Sequence, residues 1–558
     1  MKKKPRDLYY SLGENKFGCR LCPTICTGQP NASRHAAKHL QQEAEMQDPE
    51  TPKDPLKEKF FHETPKGERY QIDDATVEIL KWKNKYGISM SSICNISFKA
   101  FIKNPAAVRG KELMKVFQTD MATQIMQANK KACHDSVVSL IIDGGTVIQT
   151  KWLAIVKFGS SDEGLSFGLL DVIMGVQHAT SDYIKDEIKQ IAANLEKQNT
   201  LIISVCTDNA RNLVSSFFNT AANSKNSKNC IENIIRISCA CHSGQLIIAD
   251  FLKYSPEFKV LVDLLKEIPQ KICHKTKEEI KALQLSGYPP VQKQRWNSIH
   301  IALQYVIKNE VQLSKLCSTA NSVLNDLEYA KKMELLLRPL HIFTTKLEGN
   351  DKTQADVYKQ YIKLKNAWEE MAKTNNDAKK LLEFLEKRSH KTFDIELAEM
   401  AYSFTCQGMH DFYEKYPFYP DHLIVDEEKK HIIIKRNERL SFLTQKVNQL
   451  CKSWNIKGSI VMEVYNVLTQ HNIPAVKKFI KKGEIQWILQ KYDQEKITIF
   501  SDFVNRIQIL PASEAAAERV FARMRDLYSY RYSNMKPETL KESLVINYNY
   551  SLEQLLKE

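Results

Sequence analysis

The sequence predicts a mixed α/β protein with a small metal-binding unit at its N-terminus and a large helical region in its second half. Short β-branched and apolar runs between residues 136 and 242 indicate strands. Apolar residues at helical spacing dominate from residue 245 to about residue 500. Cysteines and histidines at ligand spacing lie within residues 1–40. Only 18 of the 558 residues are glycine and 18 are proline, which favours long helices over a turn-rich all-β fold.

The composition restricts the class of protein. The chain has 80 Lys+Arg against 66 Asp+Glu, and its net charge of +14 favours a polyanionic partner such as double-stranded DNA. No apolar run approaches the ~18 residues of a membrane span, and no apolar segment follows the basic N-terminus, so we expect neither a signal peptide nor a membrane protein. The 13 cysteines predict reduced thiols in the cytosol or nucleus.

The zinc-binding candidate comes first along the chain. Cys19, Cys22, His35 and His39 have the spacing C-x2-C-x12-H-x3-H, which is typical of a tetrahedral zinc site. The alternative is that four unrelated ligand-type residues happen to share a polar segment. The surrounding basic residues favour a zinc site that also contacts DNA. The residues that we expect to contact DNA are Lys2, Lys3, Lys4, Arg34 and Lys38.

The middle of the chain predicts the sheet. Three strands are expected in VVSLIID, TKWLAIVKF and LSFGLLDVIMG, followed by a helix from Thr180 to Lys197 with a Thr or Ser cap. A strand in LIISVCTD, a helix over Ala210–Ala222 and a strand in IIRISCACH follow. Since both helices separate strands, we expect one mixed sheet.

Three acidic residues are candidates for chemistry. Asp143 and Asp208 each end a buried strand, where sites form in open α/β sheets, and carboxylate oxygens suit hard divalent cations. Either aspartate alone is more simply explained as a cap of the following turn or helix. Glu518 lies in PASEAAAERVFARMRD, where Ser513 is a candidate cap and the alternative for the glutamate is a solvated helix face.

Taken together, the motifs resemble the hAT superfamily (hobo/Activator-like) of DNA transposases. PASEAAAERVF resembles its C-terminal signature, and IIDGGT and VCTDNARN resemble the segments with its two catalytic aspartates. CACH, at 239–242, matches its Cys-x-x-His motif, and Arg295-Trp296 matches its Arg-Trp motif. The N-terminal layout resembles a BED-type zinc finger. The motifs occur in the family's order over nearly the whole chain.

The resemblance implies an RNase H-like mixed-sheet catalytic core interrupted by an all-helical insertion. In that fold Asp143, Asp208 and Glu518 would hold Mg²⁺ or Mn²⁺ for DNA end cleavage and strand transfer. His242 would contact DNA, and Trp296, with Arg295 beside it, would stack on an unpaired base. The alternatives are a second zinc site or buried thiols for CACH, and a core position for the tryptophan.

The expected domains follow the same order. They are a BED-like finger at 1–40, a linker at 41–72, a helical intermediate domain at 73–135, the first part of the core at 136–244, a helical insertion at 245–500, and the last core helix with a dimerisation region at 501–558. The dimerisation expectation depends on family resemblance and on the apolar residues of the C-terminal segment: Leu540, Leu544, Ile546, Tyr548, Leu552 and Leu555.

Two departures from the family pattern leave the acids in place. Gly145 stands where many relatives have tryptophan, and ERVFARMRD lacks the Ser-Gly pattern common after the Glu-Arg pair. We therefore expect a nuclear transposase that binds DNA and forms a homodimer or larger homo-oligomer. The alternatives are a domesticated, catalytically inactive DNA-binding regulator that retains the finger and dimerisation region, and an interaction protein whose C-terminal helices only dimerise.

The zinc site gives the first testable prediction. The full-length protein should contain one zinc in its N-terminal segment, and replacement of Cys22 or His39 with alanine should remove it and weaken DNA binding, because small zinc modules depend on the metal for their fold. Zinc content by atomic emission and DNA affinity over a salt series measure both effects. Wild-type protein without zinc, or DNA affinity that salt does not change, would contradict the prediction.

Overall fold

The computed structural model has two compact units, Met1–Asp74 and Ala75–Glu558. The residues it describes are 9–13, 16–19, 25–27, 61–63, 69–72, 74–86, 90, 111–131, 136–147, 150–161, 164–174, 180–197, 199–210, 213–214, 234–272, 288–289, 291, 296–316, 327–419, 426–470, 494–527 and 536–555.

The described part of the first unit consists of strands. An antiparallel three-stranded sheet contains β1 (Tyr9–Gly13), β2 (Lys16–Cys19) and β3 (Ile25–Thr27), in the order β1-β2-β3. Two further strands, β4 (Phe61–Glu63) and β5 (Arg69–Gln71), form an antiparallel pair. Of the predicted zinc ligands, Cys19 ends β2, and Cys22, His35 and His39 lie outside the described residues.

The second unit contains one five-stranded mixed sheet. Its strands are β6 (Val137–Val147), β7 (Thr150–Ser161), β8 (Gly164–Met174), β9 (Leu201–Thr207) and β10 (Ile235–Ser238). The order across the sheet is β10-β9-β6-β7-β8. β6 is parallel to β9 and β9 to β10, whereas β7 is antiparallel to both of its neighbours. The five predicted strands and the mixed sheet are thus confirmed.

Helices make up the rest of the described second unit. They are α1 (Asp74–Tyr86), α2 (Lys111–Lys131), α3 (Ser181–Glu196), α4 (Ala240–Tyr254), α5 (Pro256–Ile272), α6 (Asn297–Lys308), α7 (Glu310–Leu316), α8 (Leu327–Leu347), α9 (Gln354–Ala372), α10 (Asn376–Lys391), α11 (Ile395–Ser403), α12 (Cys406–Lys415), α13 (Glu427–Trp454), α14 (Gly458–Leu468), α15 (Gln494–Gln508), α16 (Ala515–Leu527) and α17 (Pro537–Leu555). Among these described helices, none combines the length and apolar character needed to cross a bilayer.

The sheet has helices on both faces. Even-numbered residues of β6, including Val138, Leu140 and Ile142, pack with the buried face of α3, whose N-cap is Thr180 as predicted. Alternate residues of a strand point to opposite faces, so Asp143 and Gly145 point the other way. On that face α16 packs against β6 and β7. The helix with Glu518 therefore lies on the face of the sheet to which Asp143 belongs.

The helical block has its own core and is tied to the segment that precedes α16. Apolar residues of α4, α5, α6, α8, α9 and α10 form this core. At its junction with the segment before α16, the amide of Gln354 donates to the carbonyl of Leu510 (2.8 Å), and the amide of Ala512 donates to the carbonyl of Lys352 (3.0 Å). Ser513 Oγ donates to the carbonyl of Leu347 (2.9 Å). These bonds fix where α16 begins.

A buried lysine links α1, α2 and α17. The side chain of Lys83 is 4% exposed, and its ammonium donates to Asn84 Oδ1 (3.0 Å) and Gln118 Oε1 (2.5 Å). Gln118 Nε2 donates in turn to Glu542 Oε2 on α17 (3.1 Å). Burial lowers the pKa of Lys83 to about 8, and the charge of Glu542 acts in the opposite direction.

This lysine gives a pH-dependent prediction. The folded chain releases the Lys83 proton near pH 8 and the unfolded chain near pH 10.5, so the free energy of unfolding should rise with pH between these values, by about 3 kcal/mol. Replacement of Lys83 with methionine should remove that rise. Denaturant unfolding of both proteins across this pH range measures the difference. Two curves that remain parallel would contradict the low pKa.

Candidate active site at the strand ends

Asp143 and Asp208 lie side by side at one end of the sheet. In the parallel pair of β6 and β9, Ile141 is opposite Cys206, and each aspartate is two residues further along its strand. Asp143 is still paired with Ala154 of β7, whereas Asp208 directly follows the last residue of β9. Both side chains are half-buried. The prediction that the two aspartates are on neighbouring strands is confirmed.

Arg236 of β10 fixes the backbone that bears Asp208. Its Nη2 donates to the carbonyl of Asp208 (2.5 Å) and to Asn209 Oδ1 (3.2 Å), and its Nε donates to Thr207 Oγ1 (3.0 Å). Asp208 Oδ1 also accepts from the amide of Ala210 (2.9 Å), so this oxygen closes a local turn. Sequence analysis missed Arg236, although an arginine in the otherwise apolar run IIRISC is an available signal.

Cys239 joins β10, β9 and α4. Its amide donates to the carbonyl of Thr207 (2.9 Å), and its Sγ accepts from the amide of His242 (3.4 Å) as the N-cap of α4. The amide of the next residue, Ala240, donates to the carbonyl of Ala512 in the segment before α16 (3.1 Å). The motif CACH therefore shapes the turn at the strand ends, and its first cysteine is buried there. His242 is half-buried in the first turn of α4.

Phe521 seats α16 on the sheet through Gly145. A Cβ atom at position 145 would lie 2.8–3.0 Å from three carbons of the Phe521 ring, so a residue larger than glycine does not fit. Phe521 is 4% exposed and belongs to the apolar stripe predicted for this helix, with Ala517, Val520 and Met524. Gly145 thus leaves the space in which Phe521 packs, and so positions the helix that bears Glu518.

A fourth carboxylate, which sequence analysis did not assign, lies at the site. Glu514 is 2% exposed and comes one helical turn before Glu518. Burial raises the pKa of the Glu514 carboxyl well above its ordinary value, and four neighbouring acidic groups raise it further: Cys239, Asp143, Asp208 and Glu518. These groups therefore share one electrostatic environment. The available sequence signal was a glutamate four residues before Glu518, on the same face of the helix.

The carboxylates suit a hard divalent cation. Oxygen ligands of this kind are those that Mg²⁺ and Mn²⁺ prefer. Glu514 Oε2 is buried and has no hydrogen-bond partner, so it is free to act as a ligand. Within the described residues, no group of three or more His, Cys, Asp or Glu side chains is placed so that it could hold a metal ion as it stands. The donor set thus fits a cation in its chemistry, and a bound cation would have to draw these side chains together.

A cavity of about 520 Å³ opens beside Glu518. It lies between α4, α6, α8 and α16, and its lining includes Trp296, Asn297, His341, Thr344, Glu518 and Arg519. Trp296 is 3% exposed, and its Nε1 has no hydrogen-bond partner. The structure thus brings Trp296 to the same cavity as Glu518. Its stacking on a base stays a prediction, and Arg295 lies outside the described residues.

Two stacked histidines lie at this cavity: His341 lines it, and the fully buried His300 packs against His341. The rings of His300 and His341 are 4.5 Å apart, and His341 Nδ1 is 3.2 Å from Asn297 Oδ1. Burial and the neighbouring His341 lower the pKa of His300 to about 4, and burial also lowers the pKa of His341. His300 Nε2 is 3.2 Å from Glu334 Oε1, without hydrogen-bond geometry. At neutral pH the histidine wall is therefore uncharged.

The C-terminal helix uses its apolar residues within the chain. Leu540, Leu544 and Ile546 are fully buried and Tyr548 is 6% exposed, and α17 packs against α2, α16 and β8. The hydroxyl of Tyr548 donates to the carbonyl of Ala516 (2.8 Å). Sequence analysis took these residues as an association surface, and for these four that basis is wrong because the monomer already covers them. Dimerisation itself stays a prediction.

The remaining predicted DNA contacts lie outside the described residues. They are Lys2, Lys3, Lys4, Arg34 and Lys38. The zinc site and its DNA surface therefore stay predictions.

Comparison with known proteins gives little similarity. No model of a protein family matches the sequence, and no curated protein matches it. Among solved structures, the chain is similar to the Drosophila P element transposase strand transfer complex, with 10% identity and a TM-score of 0.30 over 93% of this chain and 100% of that one. Similarity at this level assigns neither the fold nor a function.

The seat of α16 can be tested with two adjacent glycines. Replacement of Gly145 with alanine should lower the free energy of unfolding by about 1–3 kcal/mol, because the buried Phe521 ring cannot move away without cost. Gly144 is a matched control, since a Cβ atom there would have its nearest neighbours at 3.9 and 4.0 Å. Denaturant unfolding of the two variants measures the contrast. Equal losses at both positions would contradict this packing.

Proposed function

We propose that this protein is a DNA transposase of the Asp-Asp-Glu type, with an RNase H-like core, that cleaves DNA ends and joins them to a target. The observation that carries the proposal is the level placement of Asp143 and Asp208 on adjacent parallel strands, with the helix of Glu518 on the face to which Asp143 belongs. The order of motifs along the chain, which resembles the hAT family, supports the same assignment.

Asp143, Asp208 and Glu518 are the residues we propose to hold Mg²⁺ or Mn²⁺. When bound, such ions activate a water or a 3′-hydroxyl and stabilise the leaving oxygen of a phosphodiester. The protein's own contribution is position. Arg236 fixes the backbone of Asp208, and Phe521 on Gly145 fixes the helix of Glu518. These two contacts, which come from distant parts of the sequence, thus set the relative positions of the strand end with Asp208 and the helix with Glu518.

The cavity beside Glu518 is where we propose that the end of the DNA is held. Its wall combines a neutral histidine, a buried indole with a free N–H donor and the side chain of Arg519. Arg519 Nη1 donates to the carbonyl of Glu348 (2.9 Å), so this cation is held at the rim. Aromatic surfaces and an adjacent arginine are typical of sites that accept unstacked nucleotides. We propose that Trp296 acts here and that His242, which does not line the cavity, contacts the DNA from the first turn of α4.

Nuclear localisation, a zinc-dependent DNA-binding N-terminus and a homodimer complete the proposal. A protein that joins two DNA ends must hold both at once, which a symmetric dimer achieves. Because Leu540, Leu544, Ile546 and Tyr548 are buried within the chain, a dimer contact at this segment would have to use its other residues.

Cleavage of DNA tests the proposal. Full-length protein with Mn²⁺ or Mg²⁺ should nick a supercoiled plasmid that carries the genomic sequences flanking the gene. The variants Asp143→Asn, Asp208→Asn and Glu518→Gln should each reduce nicking by about a hundredfold or more. Loss of a residue that only hydrogen-bonds to a metal ligand already costs up to about a hundredfold, and these three residues are the proposed ligands themselves. Asp186→Asn, an exposed carboxylate of α3, is the control and should retain wild-type activity.

The outcomes separate the candidate functions. Nicking that needs the metal and all three acids supports the transposase. Binding of the flanking DNA without nicking, under every metal condition, would favour the inactive DNA-binding regulator and overturn the catalytic assignment.

A further inference from the structure

The tryptophan that lines the cavity has no ring face open to a ligand. Trp296 is 3% exposed and belongs to the hydrophobic core of the helical block. The indole and the His341 ring are nearly perpendicular (81°), with their centroids 6.4 Å apart. Since stacking on a base needs an open ring face, Trp296 can act by supporting His341, and contact with a ligand falls to other residues of the lining.

His341 is held in place by a second histidine and by an asparagine. Its ring stacks on that of the fully buried His300, with centroids 4.5 Å apart and planes inclined by 25°. Its Nδ1 atom is 3.2 Å from Oδ1 of Asn297, which lies in the first turn of α6. Together with the indole, these contacts fix the imidazole where α8 borders the cavity.

The partner of Nδ1 determines which ring nitrogen of His341 can accept a hydrogen bond. An amide oxygen only accepts, so the proton of the neutral ring lies on Nδ1 and the Nε2 atom carries a lone pair. Burial lowers the pKa of His341, which favours this neutral form at neutral pH. Nε2 forms no hydrogen bond within the described residues. The lining of the cavity therefore contains an acceptor that the protein itself does not use.

An acceptor at this point restricts the group that it can bind. Phosphate oxygens only accept hydrogen bonds, so they cannot pair with the Nε2 lone pair, whereas the N–H groups of a nucleobase and a terminal hydroxyl can donate to it. Arg519 lines the same cavity and is the kind of cation that binds phosphate. The lining thus has a cation for the phosphate of a nucleotide and an acceptor for its base or hydroxyl.

We propose that His341 binds the last, unpaired nucleotide of a DNA end, its Nε2 atom accepting a hydrogen bond from an N–H group of the base or from the 3′-hydroxyl. The inference deepens the proposed function and rests on it. Glu518 lines the same cavity, so this nucleotide lies beside an acid proposed for the reaction. Trp296 contributes by supporting the His341 ring.

The main test is His341→Phe, because phenylalanine keeps a ring beside Trp296 and His300 and removes both ring nitrogens. The probes are a blunt duplex of the genomic sequence that flanks the gene and the same duplex with a one-nucleotide 3′ extension. Fluorescence anisotropy of the full-length protein, without added Mg²⁺ or Mn²⁺, gives the ratio of the two affinities. We expect the variant to bind the extended duplex about tenfold more weakly than the wild type does, and the blunt duplex equally well, since one hydrogen bond is lost.

Two further variants separate the contact from the shape of the ring. His341→Gln places an amide oxygen near the position of Nε2, so its affinity ratio should stay close to that of the wild type. His431→Gln, at an exposed histidine of α13, is the control and should keep the wild-type ratio. A ratio that falls equally in His341→Gln and His341→Phe would contradict the role of Nε2 as an acceptor.

Two modified duplexes identify the donor group. In one the extension is abasic, and in the other it is a 2′,3′-dideoxynucleotide. The modification that lowers the affinity of the wild type to that of His341→Phe, without affecting the variant, marks the group that donates to Nε2. A difference between the two proteins that survives both modifications would show that the contact is not with this nucleotide, and the proposal would be wrong.

Chemical modification of the wild-type protein gives a test that does not depend on the folding of a variant. Diethyl pyrocarbonate acylates accessible imidazole nitrogens, so it should modify His341 and spare the fully buried His300. The extended duplex should protect His341, and the blunt duplex should leave it reactive, as measured by mass spectrometry of peptides. Equal modification of His341 with either duplex would exclude the contact.

The two levels of proposal fail differently. A wild-type affinity ratio in His341→Phe would overturn the role of His341 and leave the Asp-Asp-Glu assignment standing, because that assignment depends on nicking. A wild-type protein that binds neither duplex would overturn both.

Discussion

The parallel pairing of β6 with β9 is the contact on which the candidate site depends. A shift of one residue in this register would turn one aspartate to the opposite face of the sheet. The register holds because both strands are buried runs whose side chains pack on α3 on one side, and because Ser139 and Ser204 are hydrogen-bonded between them (2.6 Å). The packing of the hydrophobic core therefore sets the positions of Asp143 and Asp208, and no contact with a ligand is needed to hold them there.

The third part of the site comes from sequence far away, and the helical block holds it in place. Hydrogen bonds from the loop between α8 and α9 grip residues 510–513 just before α16. The same block lines the cavity through α6 and α8. The helical block thus both fixes the start of the helix that bears Glu518 and lines the cavity beside it, although about 310 residues separate Asp208 from Glu518.

The sequence was sufficient to predict the sheet, its strands and the position of the aspartates, because β-branched runs that end in an acid are local patterns. It was not sufficient for Arg236, Glu514 or α17. The surroundings of Arg236 and Glu514 depend on contacts across the sheet and across the helical block, which no local pattern encodes. The leucines of α17 form a stripe that looks the same whether a second copy or the chain's own α2 and β8 cover it.

The contact between Gly145 and Phe521 means that two positions 376 residues apart share one volume, because 521 − 145 = 376. A large side chain at the first position leaves room for only a small one at the second. In a chain with tryptophan in place of Gly145, the aromatic ring would therefore have to come from the strand and not from the helix. The side chains at positions 145 and 521 should therefore change size together during evolution, one becoming larger as the other becomes smaller. The ring that covers this side of the sheet can come from either position.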